Sequence, residues 1–154
     1  MIELEPIGVV RSPRTDAIDD NWGGIVSRIE LDAARYAPEA LQGLAVFSHI
    51  EVVYFFHLVP EAKIEKTARH PRNREDWPRV GIFAQRGKNR PNRIGVSVCE
   101  LLKVEGTTVT VKGLDAIDGT PVVDIKPWIR EFGPRGESTQ PDWATELMRE
   151  YYSE

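Results

Sequence analysis

Ile25-Val26-Ser27-Arg28-Ile29-Glu30-Leu31 alternates in character: Ile25, Ser27, Ile29 and Leu31 fall on one side, Arg28 and Glu30 on the other. A period of two sends successive side chains to opposite faces of a half-buried strand. Working outward, Glu5 to Val10, Ile50 to Leu58, Arg79 to Gln85, Ile94 to Leu102 and Thr107 to Lys112 also read as strands, rich in Val, Ile, Thr and aromatic residues. Asp118-Gly119-Thr120-Pro121 signals a turn before an extended Val122 to Ile125. Six or seven short strands separated by turns predict a mainly β protein. An antiparallel barrel or sandwich fits better than alternating β–α units.

Helical signals are few. Pro38-Glu39-Ala40-Leu41-Gln42 stops at Gly43, a residue suited to the left-handed conformation. Pro141 can open a C-terminal helix in which Trp143, Leu147 and Tyr151 follow at i, i+4, i+8. Lys126 to Gln140, with Pro127, Gly133, Pro134 and Gly136, reads as a crossing segment, and Arg69 to Pro78 as a long loop of the kind that carries function. The expected division is a barrel over residues 1–130 and a tail over 131–154 with one helix.

At 154 residues, 41% hydrophobic and 29% charged, the chain has the make-up of a single globular domain. It has no apolar run of the ~18 residues a membrane span needs. Met1-Ile2-Glu3-Leu4-Glu5 lacks the pattern of a secretory signal, which predicts a cytoplasmic protein. One cysteine, Cys99, excludes an internal disulfide and a cysteine-based zinc cage, and three histidines (His49, His57, His70) give little to build a metal site from. His49 and Cys99 read as structural. No phosphate-loop, dinucleotide, zinc-hydrolase or serine-hydrolase pattern is present.

The net charge of −4 hides an asymmetry. Lys66 to Arg93 holds nine basic residues and two acids (Glu75, Asp76), a net +7 against −11 for the remainder. Such a segment suits a local anion such as a carboxylate, a phosphate or an RNA backbone; the plainer reading is a solvated loop paired with acids elsewhere. Within it, Arg86-Gly87-Lys88-Asn89-Arg90-Pro91-Asn92-Arg93 joins two strands and concentrates guanidinium forks and amides suited to a polar, anionic ligand. A second segment, Gly113 to Trp128, interleaves Asp115, Asp118 and Asp124 with apolar residues; an aspartate can fix a ribose diol or accept from an amine, or serve only a turn or an ion pair. A third, Gly43 to His57, ends an apolar strand on a histidine.

Ile7-Gly8-Val9-Val10-Arg11-Ser12-Pro13, the Gly43 to His57 run, Arg86 to Ser97 with its Arg90-Pro91-Asn92, and Asp118-Gly119-Thr120-Pro121-Val122-Val123-Asp124-Ile125-Lys126-Pro127 together resemble the TsaA/YaeB-like family, over roughly Ile7 to Trp128. The resemblance implies a small, closed or nearly closed antiparallel β-barrel that binds S-adenosylmethionine outside the dinucleotide-binding fold. It further implies methyl transfer to N6 of a (threonylcarbamoyl)adenosine beside the anticodon of tRNA, by a homodimer without a metal. Matching positions give cofactor contacts at Trp22, Gly23, Gly24, His57, Leu58, Arg86, Val96, Gly113, Leu114, Asp115 and Ala116. Arg86 would hold the methionine carboxylate, Asp115 the ribose or amino group, and the two glycines would allow close approach of the backbone.

His57 or Asp118 would take the acceptor's proton. Arg69, Arg72, Arg74, Lys88, Arg90 and Asn92 would meet the RNA, with Trp77 stacking on bases. The chain departs from the family at Trp22 and Arg93, where prolines are usual, at Leu58, usually polar, and in having a tail where longer members have a further domain. A cofactor-binding sensor and a small-molecule methyltransferase are the competing readings.

Overall fold

The computed structural model describes residues 1–154. Eight strands form: β1 (Gly8–Arg11), β2 (Val26–Leu31), β3 (His49–Phe55), β4 (Ala68–Arg69), β5 (Val80–Gly81), β6 (Ile94–Glu105), β7 (Thr108–Lys112) and β8 (Pro121–Pro127). Six of them close a barrel in the order β1-β2-β7-β6-β3-β8, every pairing antiparallel, while β4 and β5 form a separate two-residue ladder. Full closure removes most of the exposed edges that an open sheet leaves.

The alternation that marks β2 is realised: Ser27, Ile29 and Leu31 point inward and Arg28 outward. Val10, Ile50, Val52, Val109, Val111 and Val122 fill the barrel, with Leu41 and Leu114 also packed into this core. Gly95 lies opposite Tyr54, where a Cβ would stand 2.6 Å from the tyrosine ring; the glycine makes room for that inward phenol.

Cys99 is among these buried residues, and burial, seconded by the Asp115 charge, pushes its thiol up to about 12. Because the thiolate is the nucleophile, the native protein is expected to resist iodoacetamide at pH 8 and the unfolded chain to take one label, counted by mass spectrometry.

Three expectations change. Arg79 to Gln85 is no long strand: only Val80–Gly81 finds a partner, after which Ile82–Ala84 turns as a 3-10 helix, burying Ile82 and leaving Phe83 exposed. The proline-led segment is likewise a 3-10 turn (Pro38–Leu41), with Gly43 left-handed at φ 88°. The C-terminal helix α1 (Asp142–Met148) ends before Tyr151, so that tyrosine belongs to the turn beyond it. No helix is long and apolar enough to cross a membrane.

The strand pairing leaves gaps, one of them beside β6. β7 joins β6 only from Glu100 onward, so residues 94–99 have β3 on one side and no strand on the other. After Lys112 the chain leaves β6 at Gly113, whose φ of +86° suits glycine, and Leu114 and Ala116 bury their side chains beneath the opening.

Candidate donor-binding site

At that opening, Asp115 turns its carboxylate toward β3 and β6. The Tyr54 hydroxyl donates to Oδ1 at 2.9 Å, Ser97 Oγ donates to the same oxygen, and the Tyr151 hydroxyl donates to Oδ2. Burial, reinforced by the Asp115 charge, pushes both phenols well above their ordinary pKa, so they remain donors. Tyr54, Ser97 and Tyr151 are the residues that sequence reasoning missed. For Tyr54 and Ser97 the available signal was a hydroxyl at an inward strand position of an otherwise aliphatic barrel, because a buried hydroxyl needs a partner; Tyr151, in the turn beyond α1, gave no such signal.

Arg86 lies on the open edge of β6. One guanidinium nitrogen, Nη2, donates to the Val96 carbonyl at 2.8 Å, and the remaining donors have no protein partner. The loop around it is braced from within. Gln85 Nε2 donates to the carbonyls of Arg69 (2.9 Å) and Val80 (3.0 Å), Arg90 Nη1 to Gln85 O (2.6 Å), and Arg93 Nη1 to Val59 O (2.7 Å). Asn92 (φ 64°) and Arg93 (φ 49°) take left-handed conformations that turn the chain into β6, which asparagine tolerates better than most residues.

His57 follows β3, half-buried and without a side-chain hydrogen bond. Burial lowers its pKa, leaving a neutral imidazole at neutral pH. A Cβ at Gly119 would lie 3.7 Å from His57 Nε2, so the histidine adjoins the Asp118-Gly119 turn. Asp118 is already engaged, its Oδ1 accepting the Ser12 amide at 3.0 Å. Leu58 is exposed, whereas Leu114 and Ala116 are buried and offer only backbone to a ligand.

The 21–24 loop and the basic loop are built differently from expectation. The Trp22 and Trp77 side chains are each 3% exposed, so the first is an anchor under its loop and the second offers no face for stacking on bases. Arg14 covers the Trp22 ring at 4.3 Å and Arg74 the Trp77 ring at 4.0 Å. Arg72 pairs with Asp20 through two bonds of 2.9 and 3.2 Å, Arg74 pairs with Asp76, and Arg69 Nη2 donates to Asn73 at 3.1 Å. Lys66, Arg79 and Lys88 are exposed and carry no ion pair. Thus Arg86, Val96, Asp115 and the 22–24 loop gather at the opening, His57 and Asp118 share a neighbouring turn, and the arginines at 69, 72 and 74 are each engaged by another side chain. No group of three or more His, Cys, Asp or Glu is placed to hold a metal ion.

The family profile of the tRNA-methyltransferase O N-terminal domain matches residues 12–133. A probable S-adenosyl-L-methionine-binding protein from Methanothermobacter thermautotrophicus is 36% identical over 137 residues, covering 88% of this chain and 96% of its own. The tRNA (adenine(37)-N6)-methyltransferase of Escherichia coli is 38% identical over 136 residues, covering 82% of this chain and 57% of that enzyme. A crystal structure of TrmO superposes with a TM-score of 0.74 at 28% identity, covering 91% of this chain and 63% of the other. The chain therefore spans nearly the whole archaeal relative and little more than half of the bacterial enzyme.

Proposed function

Since the chain belongs to the family of the tRNA-methyltransferase O N-terminal domain, we propose that it transfers a methyl group from S-adenosylmethionine to N6 of an adenosine beside the tRNA anticodon. The observation that carries this reading is the meeting of an acceptor and a free fork at the opening: the Asp115 carboxylate and the unpaired donors of Arg86. S-adenosylmethionine presents a carboxylate to match the fork, and hydroxyls and an amine to match the acid.

Methyl transfer from a sulfonium is an in-line displacement with a good leaving group, so alignment of donor and acceptor supplies much of the acceleration. The nitrogen bonds the methyl carbon as the carbon–sulfur bond breaks, and the nitrogen then loses a proton. His57 is the better acceptor for that proton, because its imidazole is neutral and makes no side-chain hydrogen bond while Asp118 is held by Ser12. The exposed cations at Lys66, Arg79 and Lys88 supply charge for phosphates without breaking an ion pair. The proposed dimer would use the outer face of β6, a reading supported by the exposure of Val98 and Leu102 there.

Purified protein incubated with methyl-labelled donor and tRNA from a strain lacking the enzyme is expected to label adenosine N6. Donor binding without labelled RNA would overturn the tRNA assignment and leave a sensor or a small-molecule methyltransferase.

A further inference from the structure

The chain after α1 folds back onto the same opening. Asn21 donates its amide to Glu150 O at 2.9 Å and Trp22 to Tyr151 O at 2.8 Å, a short two-rung contact outside the barrel sheet. The Tyr151 hydroxyl takes the Asp115 oxygen that Tyr54 and Ser97 leave free. Gly23 packs so tightly on this segment that a Cβ there would overlap the Tyr152 carbonyl oxygen. Glu154 reaches Lys112, Nζ to Oε1 3.5 Å.

Gly23 and Asp115 are thus committed twice, to the donor by the reading above and to the tail by the geometry. At Gly23 not even a methyl group fits between loop and tail, so a donor that approaches this backbone must displace the tail. The attachments suit reversal, being two backbone bonds, one hydroxyl and an exposed ion pair, with Tyr152 and Glu154 themselves exposed.

We propose that residues 150–154 form a self-docking strap that excludes the methyl donor, which binds only when the strap lifts from Asp115 and the 21–24 loop. The proposal rests on the donor reading of this site. The apparent affinity of such a site falls with the fraction of molecules that are open.

By titration calorimetry, a chain lacking residues 150–154 is expected to bind S-adenosylmethionine about 10- to 100-fold more tightly than the intact chain. Tyr151→Phe, which removes only the bond to Asp115, shifts affinity the same way by less, and it carries the test if the shortened chain does not fold. In the intact chain, added donor speeds hydrogen exchange at the Asn21 and Trp22 amides. Equal or weaker binding by both variants, with those amides more protected in the presence of donor, overturns the strap and makes the tail a wall of the pocket. Absence of donor binding by every folded form overturns the donor reading itself.

Discussion

Leu114→Ala is expected to lower the unfolding free energy by about 2–5 kcal/mol, the range for emptying a buried leucine site. Leu114 is fully buried in the barrel core, although it belongs to a stretch whose neighbours face the opening. The loss combines the transfer of apolar surface with the cavity left behind, and barrel strands closed in a ring have little freedom to collapse into it. Chemical denaturation followed by tryptophan fluorescence measures it. A change below about 1 kcal/mol would mean that the 113–116 segment is not core in solution. A conservative Leu114→Met replacement should be tolerated far better, because volume is retained.

Arg86→Ala is expected to weaken S-adenosylmethionine binding by about 1.5–3 kcal/mol, the worth of a hydrogen bond to a charged group. Stability should hardly move, since Arg86 is exposed and its one internal partner, the Val96 carbonyl, lies on an edge with no neighbouring strand. Arg86→Lys keeps the charge but loses the two-pronged geometry, and should recover only part of the affinity. Calorimetric affinity equal to that of the unaltered protein would place the donor's carboxylate elsewhere.

The strands were legible because their signal is local. Ser27, Ile29 and Leu31 declare an inward face by alternation alone, and the observed β2 agrees with it. Arg79 to Gln85 misled because an apolar run says nothing about whether a partner strand exists, and here one was available for two residues only. The charge of the 66–93 segment was legible, but not its partners: Asp20 neutralises Arg72 across a long sequence separation that no local count reveals. Trp22 and Trp77 illustrate the same limit, since large aromatic residues in polar loops serve equally as anchors or as stacking surfaces until the fold places them. Tyr151 showed a helical spacing, yet the helix ends at Met148 and the hydroxyl turns to a carboxylate. That choice belongs to tertiary packing, which overrides local periodicity.

Closure of the barrel ties Gly8 to Val122 and Val9 to Pro121, so the first strand waits for the last. A nascent chain leaving the ribosome cannot complete the ring until almost all of the domain has been synthesised, and until then β1 and β3 each lack a neighbour. Ring closure is therefore paced by these distant pairings, on the millisecond-to-second scale of β-rich topologies, and the open edges of β1 and β3 are exposed to misassociation in the interval before β8 arrives.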